Sequence, residues 1–559
     1  MQFDRRFILL LVCSIVVSFI LFSGSLNGKF TLDDHDVIER RVDLRELKNL
    51  PEIWISPWHL GGEWAGNYRP LTLASFVLNL QFSESTVGFH IVNILLYALN
   101  AVLIFYVVSR FASERVAYLS AILFLFLPIH TEAVASIVGR VYLLGTLFSL
   151  LSLLYLFDKK YILSSLYFYL ALFSGDFYIS LLPVIGFLLI LNTGKFWNSV
   201  KLGSLYYGAP LPAYFLCRYL ALGKYAFGGY GFIDPIIGPL AFAPFKERVF
   251  TGFVHLFVYL RKTIYPVDLS PDYSFNQIPL VSNIFSSPQA IIGLLFFSVL
   301  ILAIFWTEKR FKIAAILFLI PYAVISNIFF ITTGTMAERW WYFPSFGLVT
   351  LLAVGLDKLI TKNKKWRIWI YGGLAVALMW FSSIIIRQNN VWLNDKNLFI
   401  SAAARSPNSV WARTNVAEGY FLSGNVEKAR EELGAALKIS EKHPLALYVS
   451  GQLYWKEGKH KEAEEAFKRA IEYDAHGRNK RSLYRGLALI NMDTGNNKQA
   501  LFYMEEAVKW PPAGELENIL KVDEFLLKTI REYSNRSIQS YTKEEVQKIG
   551  GLIKILRGF

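Results

Sequence analysis

From residue 7 to residue 386 the chain is a succession of apolar stretches, near 7–26, 89–108, 115–130, 133–157, 161–174, 177–193, 203–220, 289–306, 311–331, 341–360 and 367–386. So many apolar stretches can be accommodated only in a lipid bilayer, where each backbone N–H and C=O must be satisfied within its own helix. An all-α, polytopic membrane bundle of about eleven transmembrane helices is predicted. The 45 Phe, 30 Tyr and 14 Trp suit lipid-facing surfaces and interfacial belts. The stretch 249–265 is less apolar, contains His255 and is flanked by Arg248 and Arg261-Lys262.

Charge decides how that stretch is read. The formal net charge is +14, and the basic connections carry Arg110 and Arg115, Lys159-Lys160, Lys195 and Lys201, Lys309-Arg310 and Lys312, and Lys362 to Arg367. Basic loops belong on the cytoplasmic side, and all of them fall there only if 249–265 does not cross; an interfacial or re-entrant helix is expected. The loops with Asp33-Asp34, His130-Thr131-Glu132, Gly175-Asp176 and Glu338-Arg339 then share the outer face with everything after Arg387. No Lys/Arg tract is interleaved with stacking aromatics, so nucleic acid is not an expected partner. Cys13 and Cys217 sit in apolar runs and form no disulfide framework or zinc spacing. The start, Arg5-Arg6 and then an apolar run to about Phe22, resembles a signal sequence; its length and the lack of a small-x-small site favour an uncleaved first helix.

Two domains are expected: a membrane domain over 1–387, with outer loops 27–88 and 221–288, and a helical tail over 388–559. In the tail, Ala429 and Ala463 are 34 residues apart, the tetratricopeptide period, and Ala463 and Ala500 are 37 apart. Around them recur Ala417, Tyr420, Gly424, Leu433 and Ala436; Gly451, Tyr454, Gly458, Phe467 and Ala470; Ala488, Gly495, Met504, Ala507 and Pro511. Repeats near 410–443, 444–477 and 481–514 would stack into an α-solenoid with a groove for peptide, in which Tyr420 and Tyr454 are candidate acceptor contacts.

Adjacent carboxylates at a membrane boundary repel each other and are costly near lipid. Asp33-Asp34 is therefore a candidate reaction centre, one carboxylate serving as general base on an acceptor hydroxyl. With His35 the pair could also hold a divalent ion, at a spacing that is not diagnostic, and no cofactor is assigned. Arg69, in Asn67-Tyr68-Arg69-Pro70, has the planar fork that suits phosphate. His90 and Asn93 read as structural. His130, Glu132 and Arg140 lie at helix ends deep in the bundle, with Arg140 either paired to Glu132 or Asp176 or facing a phosphate. Glu338 and Arg339 precede Trp340-Trp341 and are candidates for sugar or phosphate contact. No P-loop, GxGxxG, HExxH or GxSxG stands in an interpretable context, which turns attention from soluble nucleotides to a lipid-borne donor.

In order, the acidic pair, YRPLT, GFHxxN, PIHTEAV, GR, a carboxylate after the fifth span, Arg218-Tyr219, Tyr265-Pro266 with Leu269-Ser270, AERWWYFP and the repeat tail resemble the transmembrane and tetratricopeptide-repeat containing O-mannosyltransferases of the GT-C glycosyltransferase superfamily. The resemblance runs from about residue 28 to 510. It implies the GT-C fold, a polyprenyl-phosphate sugar donor, inverting transfer to a hydroxyl, an acidic base in the first outer loop at Asp33 or Asp34, with Asp33 slightly preferred, and donor contacts at Glu132, Arg140, Glu338 and Arg339. Arg69, His130, Asp176 and Arg218 complete the candidate donor set. Gly175-Asp176 stands where the family has Lys-Glu, and Tyr142 where an acidic residue is usual, so the donor sugar and acceptor are not carried over. The compact chain suggests a prokaryotic-type member in the cytoplasmic (inner) membrane, with its active site and repeats on the periplasmic or extracellular side and a protein Ser or Thr as acceptor. The other readings are a non-enzymatic membrane-anchored tetratricopeptide scaffold for assembly of envelope proteins or glycans, and a lipid-sugar transporter or polymerase.

Overall fold

The computed structural model describes residues 5–59, 66–227, 238–274, 277–332, 334–474, 477, 479–510, 523–524, 526–528 and 530–531. Pro511 and the end of the third predicted repeat lie outside the described residues. Among the described residues there is no β-strand. The chain divides into two compact units, the first reaching to Leu398 and the second made chiefly of the residues from Phe399 on.

The first unit is built from α1 (Arg5–Phe22), α2 (Pro70–Phe82), α3 (Thr86–Val108), α4 (Glu114–Leu125), α5 (Thr131–Ala135), α6 (Arg140–Phe157), α7 (Tyr161–Ser174), α8 (Leu181–Thr193), α9 (Leu211–Leu222), α10 (Phe245–Ile264), α11 (Pro288–Trp306), α12 (Lys309–Ile325), α13 (Tyr342–Lys362) and α14 (Arg367–Asn389). Among the described residues seven helices are long and apolar enough to cross a membrane, or eight if one bent pair counts as a span. The chain is a multi-pass membrane protein. Ser85 and Ser113 start α3 and α4 by accepting the N–H of Val87 and Val116.

The long helices alternate in direction between two chemically different ends. At the basic end Arg6 meets Glu114 at 2.8 Å, Arg110 meets Asp158 at 2.9 Å, and Asp357 takes both Arg115 (3.1 Å) and Arg310 (2.9 Å). These pairs tie the start of α1 to that of α4, the end of α3 to that of α6, and the end of α13 to the starts of α4 and α12. At the polar end the connections after α1, α4, α7 and α12 come together.

Three segments differ from the hydropathy reading. The expected spans 115–130 and 133–157 are one helix bent by 55° beyond Leu125, a single turn α5, and a break over 136–139 before α6. Hydropathy averages over such a break. Its backbone is rescued by Asn93, whose amide donates to the carbonyls of Val134 (3.4 Å), Ser136 (3.0 Å) and Ile137 (3.3 Å). The expected span 203–220 is likewise interrupted, by a π-turn over Ser204–Gly208, before α9. Finally, both halves of α10 bond to the one connection between α12 and α13: Arg248 donates to Asn327 O at 3.1 Å, and the Tyr259 hydroxyl to Ala337 O at 2.8 Å.

The helix α15 (Asp395–Arg405) begins in the first unit and runs on into the second, where three helical hairpins follow: α16 (Val410–Leu422) with α17 (Val426–Ile439), α18 (Pro444–Lys456) with α19 (His460–Tyr473), and α20 (Lys480–Asp493) with α21 (Asn497–Lys509). Each hairpin turns on a glycine in the left-handed region, Gly424 (φ 81°), Gly458 (φ 76°) and Gly495 (φ 79°), where a side chain is strained. Ala429, Ala463 and Ala500 are fully buried.

Candidate active site

Asp33 and Asp34 share a turn but not an environment. Asp34 is fully buried: one carboxylate oxygen accepts the N–H of Thr31 (3.0 Å) and its hydroxyl (3.3 Å), the other the N–H of Val138 (2.8 Å) in the break before α6. Burial pushes the Asp34 carboxyl up to about 7 against the pull of those two N–H groups. Asp33 is exposed. The preceding residue, Leu32, has φ 51°, a conformation costly for a residue with a side chain.

The other adjacent charged pair divides in the same way. Glu338 is buried and accepts the Ser270 N–H at 2.8 Å and the Tyr273 hydroxyl, which fixes the loop after α10. The counter-charge is the buried Lys262, itself donating to Asp268 O at 2.6 Å. Arg339 turns the other way. Its N–H (2.8 Å) and guanidinium both reach the buried carboxylate of Glu132, and its side chain stays 29% exposed. Asp33 and Glu132 are the carboxylates whose field acts on this guanidinium. The arrangement presents an exposed acid and a partly exposed cation at one boundary of the bundle, each seated by a buried neighbour.

The remaining candidates separate into those that are open and those that are committed. Arg69 is half-buried, lies 5.0 Å above the Trp58 ring and donates to Asn67 Oδ1 at 3.1 Å; its Nε is buried with no hydrogen-bond partner among the described residues. Arg140 pairs with neither Glu132 nor Asp176 and faces no open space. It is fully buried, donating to Asn93 Oδ1 (3.0 Å), Asn79 Oδ1 (2.9 Å), Phe89 O (3.1 Å) and Ser75 O (3.2 Å) between the rings of Phe76 and Phe89. Its fork is used to bolt α2, α3 and α6 together. His130 is also fully buried, between Ser345 Oγ (2.8 Å) and the Tyr97 hydroxyl (3.3 Å). Asp176 and Arg218 pair with each other; Asp176 also accepts Tyr68 N–H (3.0 Å) and Tyr214 OH (2.9 Å), and Arg218 donates to Gly66 O (2.7 Å) and Ala226 O (2.8 Å). Arg140, His130, Asp176 and Arg218 are each engaged in bonds within the protein. Tyr420 and Tyr454 pack partly buried against the cores of their own hairpins.

His35 does not join the two aspartates as a ligand set. Its ring nitrogens meet Glu39 and Asp395 Oδ2 (2.8 Å), and these partners, Asp395 first, push it up to about 9. Among the described residues no three His, Cys, Asp or Glu side chains converge as a metal site would need. Asp395 is the residue that sequence reasoning missed, and its only signal is a spatial one.

Residues 414–479 and 448–514 match the tetratricopeptide repeat family. A protein O-mannosyl-transferase of Caenorhabditis elegans is 27% identical over 452 residues, 77% of this chain and 62% of that protein. The chain is similar to the protein O-mannosyl-transferases. The human proteins TMTC1 and TMTC4 are 27% and 28% identical over 492 and 480 residues, which cover 78% and 73% of this chain and 56% and 63% of theirs. The chain thus spans about three fifths of the length of these relatives.

Proposed function

We propose that this chain is a membrane glycosyltransferase that moves a sugar from a polyprenyl-phosphate donor to a hydroxyl of a protein Ser or Thr, with inversion. What carries the reading is the exposed Asp33, whose charge acts on Arg339, itself oriented by Glu132 and only partly covered. The names of the relatives supply the reaction class. In the step itself the Asp33 carboxylate takes the acceptor hydroxyl proton as that oxygen bonds the anomeric carbon. The bond from that carbon to the phosphate oxygen breaks, and its electron pair leaves on the lipid phosphate. Arg339 meets the developing charge, with Arg69 as a second candidate through its unpartnered Nε. Asp34, Glu338 and Arg140 act behind these groups by fixing the backbone. The tetratricopeptide tail is proposed to bind the acceptor protein, and the polar end of the bundle to face away from the cytoplasm.

The test is transfer from a polyprenyl-phosphate sugar to a Ser/Thr peptide by purified protein in nanodiscs. Asp33→Asn is expected to lower turnover by about 10²- to 10⁴-fold, the range a positioned general base supplies, with an unchanged melting temperature. Wild-type turnover in Asp33→Asn would remove Asp33 from the mechanism.

A further inference from the structure

We infer that Asp395 is the positioning residue that holds the Asp33 loop in its working conformation, an inference that rests on the sugar-transfer reading above. A single carboxylate grips both sides of the acidic pair. Asp395 Oδ1 accepts the Leu32 N–H at 3.0 Å, and Oδ2 meets His35 Nε2 at 2.8 Å. Leu32 is the residue with φ 51°. A non-glycine residue in that region is strained and persists only where its surroundings hold it. Asp395 is the group that bonds its amide.

The alternative role for an aspartate at this place, capping α15, is filled by its neighbour: Asn394 Oδ1 accepts the Asn397 N–H at 3.0 Å. Nor is the contact an isolated touch. Asn389 Nδ2 donates to Leu21 O at 2.8 Å and Lys29 N–H to Leu393 O at 2.9 Å, so 389–395 runs in register with 21–35 and delivers Asp395 to the loop. With Asp34 fixed to Val138 on the other side, the backbone of Asp33 is held by both its neighbours, and the direction of its side chain follows.

The experiment compares full-length wild type, Asp395→Asn, Asp395→Ala and the double variant Asp395→Ala/Leu32→Gly in nanodiscs. Asn keeps an oxygen for the Leu32 N–H and loses the charge facing His35; Ala loses both. For Asp395→Ala the expected result is a fall in kcat of about 10²-fold, the scale of a misaimed catalytic group, with KM for donor and acceptor unchanged and Asn falling between. Adding Leu32→Gly recovers part of the loss, because glycine takes positive φ freely. Independently of activity, amide hydrogen exchange over 30–36 speeds up in Asp395→Ala while the rest of the bundle exchanges as before. An active wild type with an unchanged kcat in Asp395→Ala, or a loss in KM alone, overturns the positioning role and leaves the transferase reading intact. An inactive wild type sinks the transferase reading, and faster exchange over 30–36 would then still uphold the clamp.

Discussion

Asp34 and Glu338 each turn a carboxylate inward onto backbone N–H groups, and in each case the adjacent residue, Asp33 or Arg339, is the more open one. Replacing Asp34 with Asn puts an NH2 where a donor already points, which leaves one buried N–H unmet. A loss of about 1–3 kcal/mol is expected, read as a lower melting temperature in Asp34→Asn beside an unchanged one in Asp33→Asn. Removing the buried Glu132 from its pair with the partly exposed Arg339 through Glu132→Ala is expected to lower the melting temperature as well. His35 gives a pH signature. Its folded value, raised by Asp395 and Glu39, lies above the ordinary 6.5, so its contribution to loop order is complete below about pH 6.5 and is lost as pH rises through about 9. Exchange protection over 30–36 should decline across that window, and His35→Gln should flatten the profile. The run of two aspartates was legible as a candidate centre, but which of the two is buried depends on the amide of Val138, over a hundred residues away. Arg140 shows the converse. From the sequence it reads either as paired to Glu132 or Asp176 or as facing a phosphate, and only the meeting of Asn79, Asn93 and Phe89 around it shows a neutral, satisfied socket.

Among the elements, the hairpins of the tail were plain in the sequence because their physics is local. Small residues recur where helices touch, and a glycine recurs where the turn needs positive φ. Gly458→Ala is expected to cost the tail about 1–2 kcal/mol, measured by denaturant titration of the full chain with protease sensitivity as the probe. The break between α5 and α6 was not legible. Apolar content is continuous across it, and its cause is a set of long-range bonds from Asn93 and Asp34. Gly139 belongs to that set, since a Cβ there would lie 2.3 Å from Ala133 O. Gly139→Ala therefore forces the break open, and the expected result is a marked fall in melting temperature together with loss of transfer.

For the molecule as a whole, the alternation of basic and polar connections along the chain foreshadowed two unlike ends. What hydropathy left open was α10, and we propose from its bonds to the α12–α13 connection that it lies along the polar end. Single cysteines placed at the exposed Lys224 and Ser286, after replacing Cys13 and Cys217 with Ser, should react with an impermeant maleimide from the same side of sealed vesicles. Labelling from opposite sides would mean that α10 crosses. The way 389–395 runs beside 21–35 also bears on how this protein can be cut and rejoined. A chimera that exchanges the tail at the end of the last apolar helix would keep every transmembrane segment and still discard Leu393 and Asp395, the strip against which the acidic loop is moulded. A graft meant to give the bundle a new acceptor should be joined after Leu398, so that the mould stays with its casting.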